Sequence, residues 1–216
     1  MDKTYILFDL DGTITDPKAG ITKSVQYSLA SFGIHVENPD TLVHFIGPPL
    51  RDSYKQFYGF NDAETETAVA KYREYFSTKG IFENTLYTGM DTLLKALKND
   101  GKQLIIATSK PTVYAKQILK HFDIDKYFDF VAGSELDGRR SKKGEIIAYA
   151  LENMNIAGTE KAVMVGDREH DVIGANEVGM DSIGVLYGYG NLQELVDAGA
   201  TFIAKSVQEL STLLTS

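Results

Sequence analysis

Apolar residues fall along this chain in two patterns. Short runs without alternation occur at 4–8, 103–107, 162–165 and 182–185, with briefer versions at 128–131 and 200–203. A strand with one wet face alternates, whereas an unbroken run suits a strand covered on both faces. Between these runs lie stretches of helical spacing. Residues 90–98 carry Leu93, Leu94 and Leu97 on one side, and 144–154 carry Ile146, Ile147, Ala150, Leu151 and Met154. Residues 112–121 follow Pro111, a residue suited to a first helical position, and 192–198 and 207–214 close the chain. Strands alternating with helices of this length predict an α/β fold built on a doubly wound parallel sheet.

Residues 16–85 break the alternation. They contain no buried strand pattern, but they show amphipathic helical patterns at 21–32, 50–58 and 63–77 and many aromatic residues, including Tyr54, Phe57, Tyr58, Phe60, Tyr72, Tyr75 and Phe76. A helical mini-core accounts for most of these rings. The division predicted is an α/β core from 1–15 and 86–216, with an all-helical domain inserted at 16–85.

Composition narrows the function. The 216 residues are 43% hydrophobic and 24% charged, as in ordinary globular proteins. No apolar run is long enough to span a bilayer, and the apolar N-terminal segment is cut short by Asp9 and Asp11, so neither a membrane segment nor a signal peptide is expected. Cysteine is absent, which excludes disulfides, thiolate nucleophiles and sulfur-based zinc sites and fits a cytoplasmic location. A net charge of −8 argues against nucleic acid or an anionic lipid surface as partner.

Candidate chemistry sits where apolar strands end. Asp9-Leu10-Asp11-Gly12-Thr13 follows the first strand, and spacing two in extended chain puts both carboxylates on one side. Gly166-Asp167-Arg168-Glu169-His170-Asp171 follows a later strand and opens a helix, where Asp167 and Asp171 share a face. An acidic turn, an N-cap at Asp167 or an early-helix acid at Asp171 would each explain one position. None explains two strand ends that each present an acidic pair, and a hard, oxygen-liganded cation such as Mg²⁺ does. Thr108-Ser109-Lys110 offers hydroxyls and amides to an anion at a third strand end. Lys142 and Lys143 precede a helix, where a cation opposes the dipole unless something negative compensates. In the insert, Arg51 ends the loop Gly47-Pro48-Pro49-Leu50 and is a candidate to grip a substrate anion, with Lys23 a weaker one. His35, His44, His121 and His170 are assigned no catalytic role.

Taken together and in order, Asp9-Leu10-Asp11-Gly12-Thr13, Thr108, a lysine, and Gly166-Asp167 with Asp171 resemble the haloacid dehalogenase superfamily over essentially the whole chain. The helical insert and the segment Gly184-Val185-Leu186-Tyr187-Gly188-Tyr189-Gly190 resemble its phosphoglycolate phosphatase-like branch. Ser109 stands where members often have Asn, and Gly144 where proline often follows the lysine. The resemblance favours Lys143 over Lys142, the adjacent pair leaving the register open. It implies a Mg²⁺-dependent phosphatase acting on a small-molecule phosphate ester. Asp9 would be the nucleophile, Asp11 the acid and base, and Thr108 and Lys143 the phosphoryl-holding residues. Thr13, Ser109, Arg51 and Lys23 would contact substrate, and Asp9, Asp11 (through its carbonyl), Asp167 and Asp171 would surround the metal. It also implies that the insert acts as a cap that chooses the leaving group. A phosphomutase on the same fold is an alternative. A phospho-accepting signalling module is another, disfavoured because the nucleophile lies in the first strand and a long helical insert follows it. The sequence names neither the substrate nor the oligomeric state.

Overall fold

A computed structural model describes residues 1–215. Six parallel strands form one sheet, and their order across it, from one edge to the other, runs from the strand at Phe130–Ser134 through those at Gln103–Pro111, Tyr5–Phe8, Ala162–Gly166 and Asp181–Val185 to that at Phe202–Ala204. They are β1 (Tyr5–Phe8), β4 (Gln103–Pro111), β5 (Phe130–Ser134), β6 (Ala162–Gly166), β7 (Asp181–Val185) and β8 (Phe202–Ala204). Two further strands of two residues each, β2 (Thr15–Asp16) and β3 (Thr85–Leu86), pair with one another. The helices of the core are α4 (Met90–Asn99), α5 (Thr112–His121), α6 (Lys143–Asn153), α7 (Glu169–Glu177), α8 (Leu192–Asp197) and α9 (Val207–Thr215).

The strand order decides where a ligand can sit. From β1 the chain steps outward to β4 and then β5, then returns across β1 to β6 and continues to β7 and β8. Right-handed crossovers therefore place the helices of the two halves on opposite faces. The winding reverses beside β1, and the crevice at such a switch point, outside the carboxyl ends of the strands, is the natural ligand site of an open α/β sheet. Ile6, Leu7 and Phe8 are fully buried, as the unbroken apolar pattern requires. On one face, Leu7, Ile105, Ala107 and Met164 pack with Ile146, Ile147 and Ala150 of α6 and Ala175 of α7.

The chain divides into two compact units, Met1–Asp16 with Leu86–Ser216, and Pro17–Thr85. The second contains α1 (Lys18–Ala30), a 3-10 helix at Pro39–Phe45, α2 (Leu50–Tyr58) and α3 (Asp62–Phe76). Its core is aromatic: fully buried Tyr54 lies parallel to Phe60 at 5.9 Å, and Phe45 meets Tyr54 edge-on at 5.1 Å. Asn61 and Glu64 form a reciprocal capping box that starts α3.

Several boundaries differ from the sequence expectation for local reasons. The strand expected at 128–131 begins instead at Phe130, because the Asp129 carboxylate accepts from the Leu104 amide (2.8 Å) and bridges to Lys98. The last strand begins at Phe202 rather than 200, since Thr201 uses its hydroxyl to accept from the Ser182 amide (3.1 Å). Pro111 is not the first helical residue: it ends β4 in extended conformation (φ −53°, ψ 132°) and precedes α5. The first helix starts at Lys18, not 21, and stops before Phe32, where the chain turns through Gly33 at φ +74°. The 3-10 helix at Pro39–Phe45 was not anticipated.

Candidate active site

Strands β4, β1 and β6 are neighbours, so their carboxyl ends deliver Thr108, Asp9 and Asp167 to one place. Asp9 continues the ladder, its amide donating to the Val165 carbonyl at 2.9 Å, while its Oδ1 accepts from the Leu10 amide at 2.7 Å. Carboxylate oxygens of Asp9, Asp167 and Asp171 lie within 4.8 Å of one another, and all three residues are buried. Lys143, the first residue of α6, reaches into this group. Its Nζ lies 3.1 Å from Asp9 Oδ1 and 2.7 Å from Asp171 Oδ1, and it donates to the Ala107 carbonyl at 2.9 Å. Lys142 is exposed, and of the two adjacent lysines it is Lys143 that enters the cluster.

Asp11 stands apart from that cluster. Its carboxylate pairs with Lys110 Nζ at 2.8 Å. The carboxylates of Asp9, Asp167 and Asp171 converge, and the Asp11 side chain, which was expected at the metal only through its carbonyl, is turned to a different cation. Thr13 donates its hydroxyl to Asp167 Oδ1 at 3.2 Å. Asp167 Oδ2 accepts from the Tyr189 amide at 2.8 Å, so this residue is no helix cap; Asp171 is the acid that turns back to cap α7, accepting from the Arg168 amide at 3.1 Å. Gly12 must be glycine twice over: its φ is +84°, and a Cβ there would sit 2.2 Å from Asp167 Oδ2. Thr108 is buried with its Oγ1 accepting from the Lys110 amide at 3.3 Å. Ser109 is partly exposed and its carbonyl accepts from the Ser134 hydroxyl at 2.8 Å.

Arg51 and Lys23 belong to the helical unit, and there each has a carboxylate partner. Arg51 forms a two-pronged pair with Glu66 (2.5 and 2.9 Å), and Lys23 meets Glu83 at 2.7 Å. Residues that the sequence reading left without a role are Lys110, Tyr187 and Tyr189. Tyr187 donates its hydroxyl to the Thr13 carbonyl at 3.0 Å. Lys110 was in view, directly after the hydroxyl pair at a strand end; only its partner was hidden.

The electrostatics follow from burial. Four buried carboxylates face two buried ammonium groups, leaving a formal charge of −2. Burial holds the Asp167 carboxyl well above its ordinary value, and the nearby Asp171 and Asp9 charges push the same way. Burial raises Asp171 to about 6 against the opposing pull of Lys143. Asp11 is raised by burial, with Lys110 opposing. Burial alone would lower the Lys143 ammonium, but the Asp171 and Asp9 charges outweigh it and hold it above its ordinary value. Three hard oxygen donors in one buried, net-negative cluster fit a small divalent cation, which would offset the burial and neighbouring charge that hold Asp167 and Asp171 above their ordinary values.

The family model for haloacid dehalogenase-like hydrolases matches residues 6–185. The chain belongs to this family. Among relatives of these hydrolases, a 5'-nucleotidase of Pseudomonas aeruginosa is 48% identical over 190 residues, 88% of this chain and 86% of that one. A tyrosine-protein kinase, PtkA, of Mycobacterium tuberculosis is 37% identical over 211 residues, 97% of this chain and 72% of that one. A solved structure described as a predicted phosphatase from Clostridium acetobutylicum has a TM-score of 0.96 at 50% identity and covers 98% of each chain. The family, with a nucleotidase and a phosphatase among its matches, supports a phosphatase. The differing activities named for these relatives mean that likeness alone does not carry a substrate.

Proposed function

We propose that this chain is a Mg²⁺-dependent phosphatase that cleaves a small organic phosphate monoester through an aspartyl-phosphate on Asp9. The observation that carries the reading is the cluster itself: three adjacent strand ends and the first turns of α6 and α7 bring Asp9, Thr108, Lys143, Asp167 and Asp171 together in one buried, net-negative site. Nothing in a folding argument rewards that accumulation of like charge, whereas phosphoryl transfer uses it.

In this reading Asp9 attacks phosphorus and the bond to the leaving oxygen breaks. The electron pair stays on that oxygen, which takes a proton from Asp11. Asp11 then accepts a proton from water as the water oxygen attacks the aspartyl-phosphate, which frees inorganic phosphate and regenerates Asp9. Thr108 and Lys143 hold the phosphoryl oxygens while charge shifts among them. Thr13 and Ser109 are nearby candidates for further contact, and Arg51 and Lys23 remain candidates for the leaving group. Asp9, Asp167 and Asp171, with the carbonyl of Asp11, would hold the metal. When bound, a divalent cation would screen carboxylate from phosphate so that like charges can meet.

The test is phosphate release from a panel that contains nucleoside 5'-monophosphates, phosphoglycolate, sugar phosphates and pyrophosphate. Expected is inorganic phosphate from at least one member, lost with EDTA and restored by Mg²⁺. Turnover that survives EDTA contradicts the metal assignment. A phosphoryl group that moves to a second organic acceptor instead of water contradicts hydrolysis and points to a mutase or kinase.

A further inference from the structure

The pair between Lys110 and Asp11 is not needed to complete the strand end, yet it is deeply buried: the two side chains are 6% and 10% exposed. Placing a lysine there takes specific backbone. Beyond Thr108 the register of β4 against β5 shifts before Pro111, which lets Lys110 lie along the site rather than in the ladder. Gly133 of β5 packs so closely beneath it that a Cβ would lie 2.5 Å from the Lys110 carbonyl oxygen.

The two oxygens of Asp11 are used unequally. Oδ2 is held by the ammonium, whereas Oδ1 is buried with no hydrogen-bond partner among the described residues. A buried acceptor left unpaired is costly, so it is retained where a partner arrives during function. The oxygen of a leaving group, and later a water, is such a partner. A carboxylate so near Asp9 would otherwise be drawn to the same cation as Asp9, Asp167 and Asp171, and a fixed ammonium competes for it.

We infer that Lys110 is a positioning residue: by holding Oδ2 of Asp11 it keeps that carboxylate away from the Asp9, Asp167 and Asp171 cluster and leaves Oδ1 available to the leaving oxygen. The inference rests on the phosphatase reading above and deepens it. A purely structural lysine would affect every substrate alike. A positioning lysine matters most where the leaving oxygen needs a proton.

The experiment compares wild type with Lys110→Met, Lys110→Gln and Lys110→Arg on two substrates. One is an alkyl phosphate drawn from the panel, the other 4-nitrophenyl phosphate, whose leaving group departs without a proton. Acid quench reports phosphoenzyme formation and steady-state kinetics report turnover. Lys110→Met is expected to lower kcat on the alkyl phosphate by ~10²-fold, the scale of one acid–base contribution. Labelling of Asp9 by the aryl phosphate should fall far less, and the phosphoenzyme should accumulate because its hydrolysis is slowed. Lys110→Arg should recover most of the alkyl activity. Adding Asp11→Asn to Lys110→Met should cost little more than Asp11→Asn alone, since the lysine acts through that acid. Equal losses in the rate of phosphoenzyme formation from both substrates, additive losses in the double variant, or a Lys110→Met enzyme indistinguishable from wild type would each overturn the inference. If Lys110→Met fails to fold, the Gln and Arg variants carry the same comparison. If wild type never labels on Asp9, the underlying phosphatase reading falls, a result distinct from normal labelling with no effect of Lys110.

Discussion

The α/β core and the helical unit handle charge in opposite ways. In the core, Asp9, Asp11, Lys110, Lys143, Asp167 and Asp171 are all buried. In the helical unit the buried polar residues are hydroxyls alone, Thr22, Ser24, Ser28, Ser53 and Thr65, and the ion pairs Lys23–Glu83, Arg51–Glu66, Lys55–Asp62 and Lys71–Glu74 lie in or near solvent. The helical unit is therefore organised as stability alone would organise it, with rings inside and charges outside. The core departs from that rule chiefly at the carboxyl end of its sheet; at the amino end Lys3 is also buried, paired with the more exposed Asp181. Such a local violation of an otherwise consistent pattern marks the place where function, not folding, chose the residues.

This contrast can be attacked from both sides. The largest effect is expected from Lys143→Met, which leaves Asp9 and Asp171 without their ammonium partner. Breaking a buried pair in this way costs on the order of 3–5 kcal/mol, and loss of one phosphoryl-holding donor should lower kcat by about 10²–10³-fold. Urea unfolding of the metal-free protein and steady-state kinetics check the two numbers. Asp167→Asn should behave in the opposite sense for stability. It removes a carboxylate that burial and two neighbouring charges hold well above its ordinary value. The metal-free variant should gain about 0.5–2 kcal/mol, the usual size of a single stabilising substitution, while turnover is lost. A metal-free Asp167→Asn protein that is less stable than wild type would contradict the account of the cluster.

A pH experiment sharpens the same point. Asp171 is raised from 3.8 to about 6 in the fold. A raised carboxyl contributes stability that is present below its unfolded value and lost as pH rises through the folded one. Lowering the pH from 7 to 5 should therefore shrink the gap in Tm between Mg²⁺-loaded and metal-free protein. His44 and His170, both lowered by burial, pull the other way on acidification. The effect of His44, in the helical unit, is common to both forms and cancels in the difference, whereas a cation beside Asp171 would lower His170 further and so also narrow the gap on acidification. The smallest effect belongs to the helical unit. Arg51→Ala should change stability by less than about 1 kcal/mol, as for other exposed pairs. A loss of turnover with unchanged stability would instead assign Arg51 to the substrate.

What could be read from sequence, and what could not, follows the same division. Unbroken apolar runs ending in acids mark strands that leave their charges at one end of the sheet, so Asp9 and Asp167 were legible despite their separation along the chain. The residues alone left Lys143 as one of two lysines, with the resemblance favouring it, because choosing between adjacent residues from first principles needs the rotation of α6, which only packing sets. The partner of Asp11 was not legible. Two-residue spacing places Asp11 beside Asp9, but which cation takes its carboxylate depends on the irregular end of β4. Thr201 and Asp129 show the same limit at strand boundaries, where a side chain takes over a backbone hydrogen bond and shifts the start of a strand.

The central claim is that Asp9 carries the phosphoryl group. Wild type and Asp9→Asn are mixed with 4-nitrophenyl phosphate and Mg²⁺, quenched in acid within a turnover, and measured by intact mass and peptide mapping. The account predicts one added phosphoryl group in wild type, located on Asp9 and labile to hydroxylamine, and none in Asp9→Asn. A phosphoenzyme that still forms in Asp9→Asn, or that maps to another residue in wild type, would contradict it.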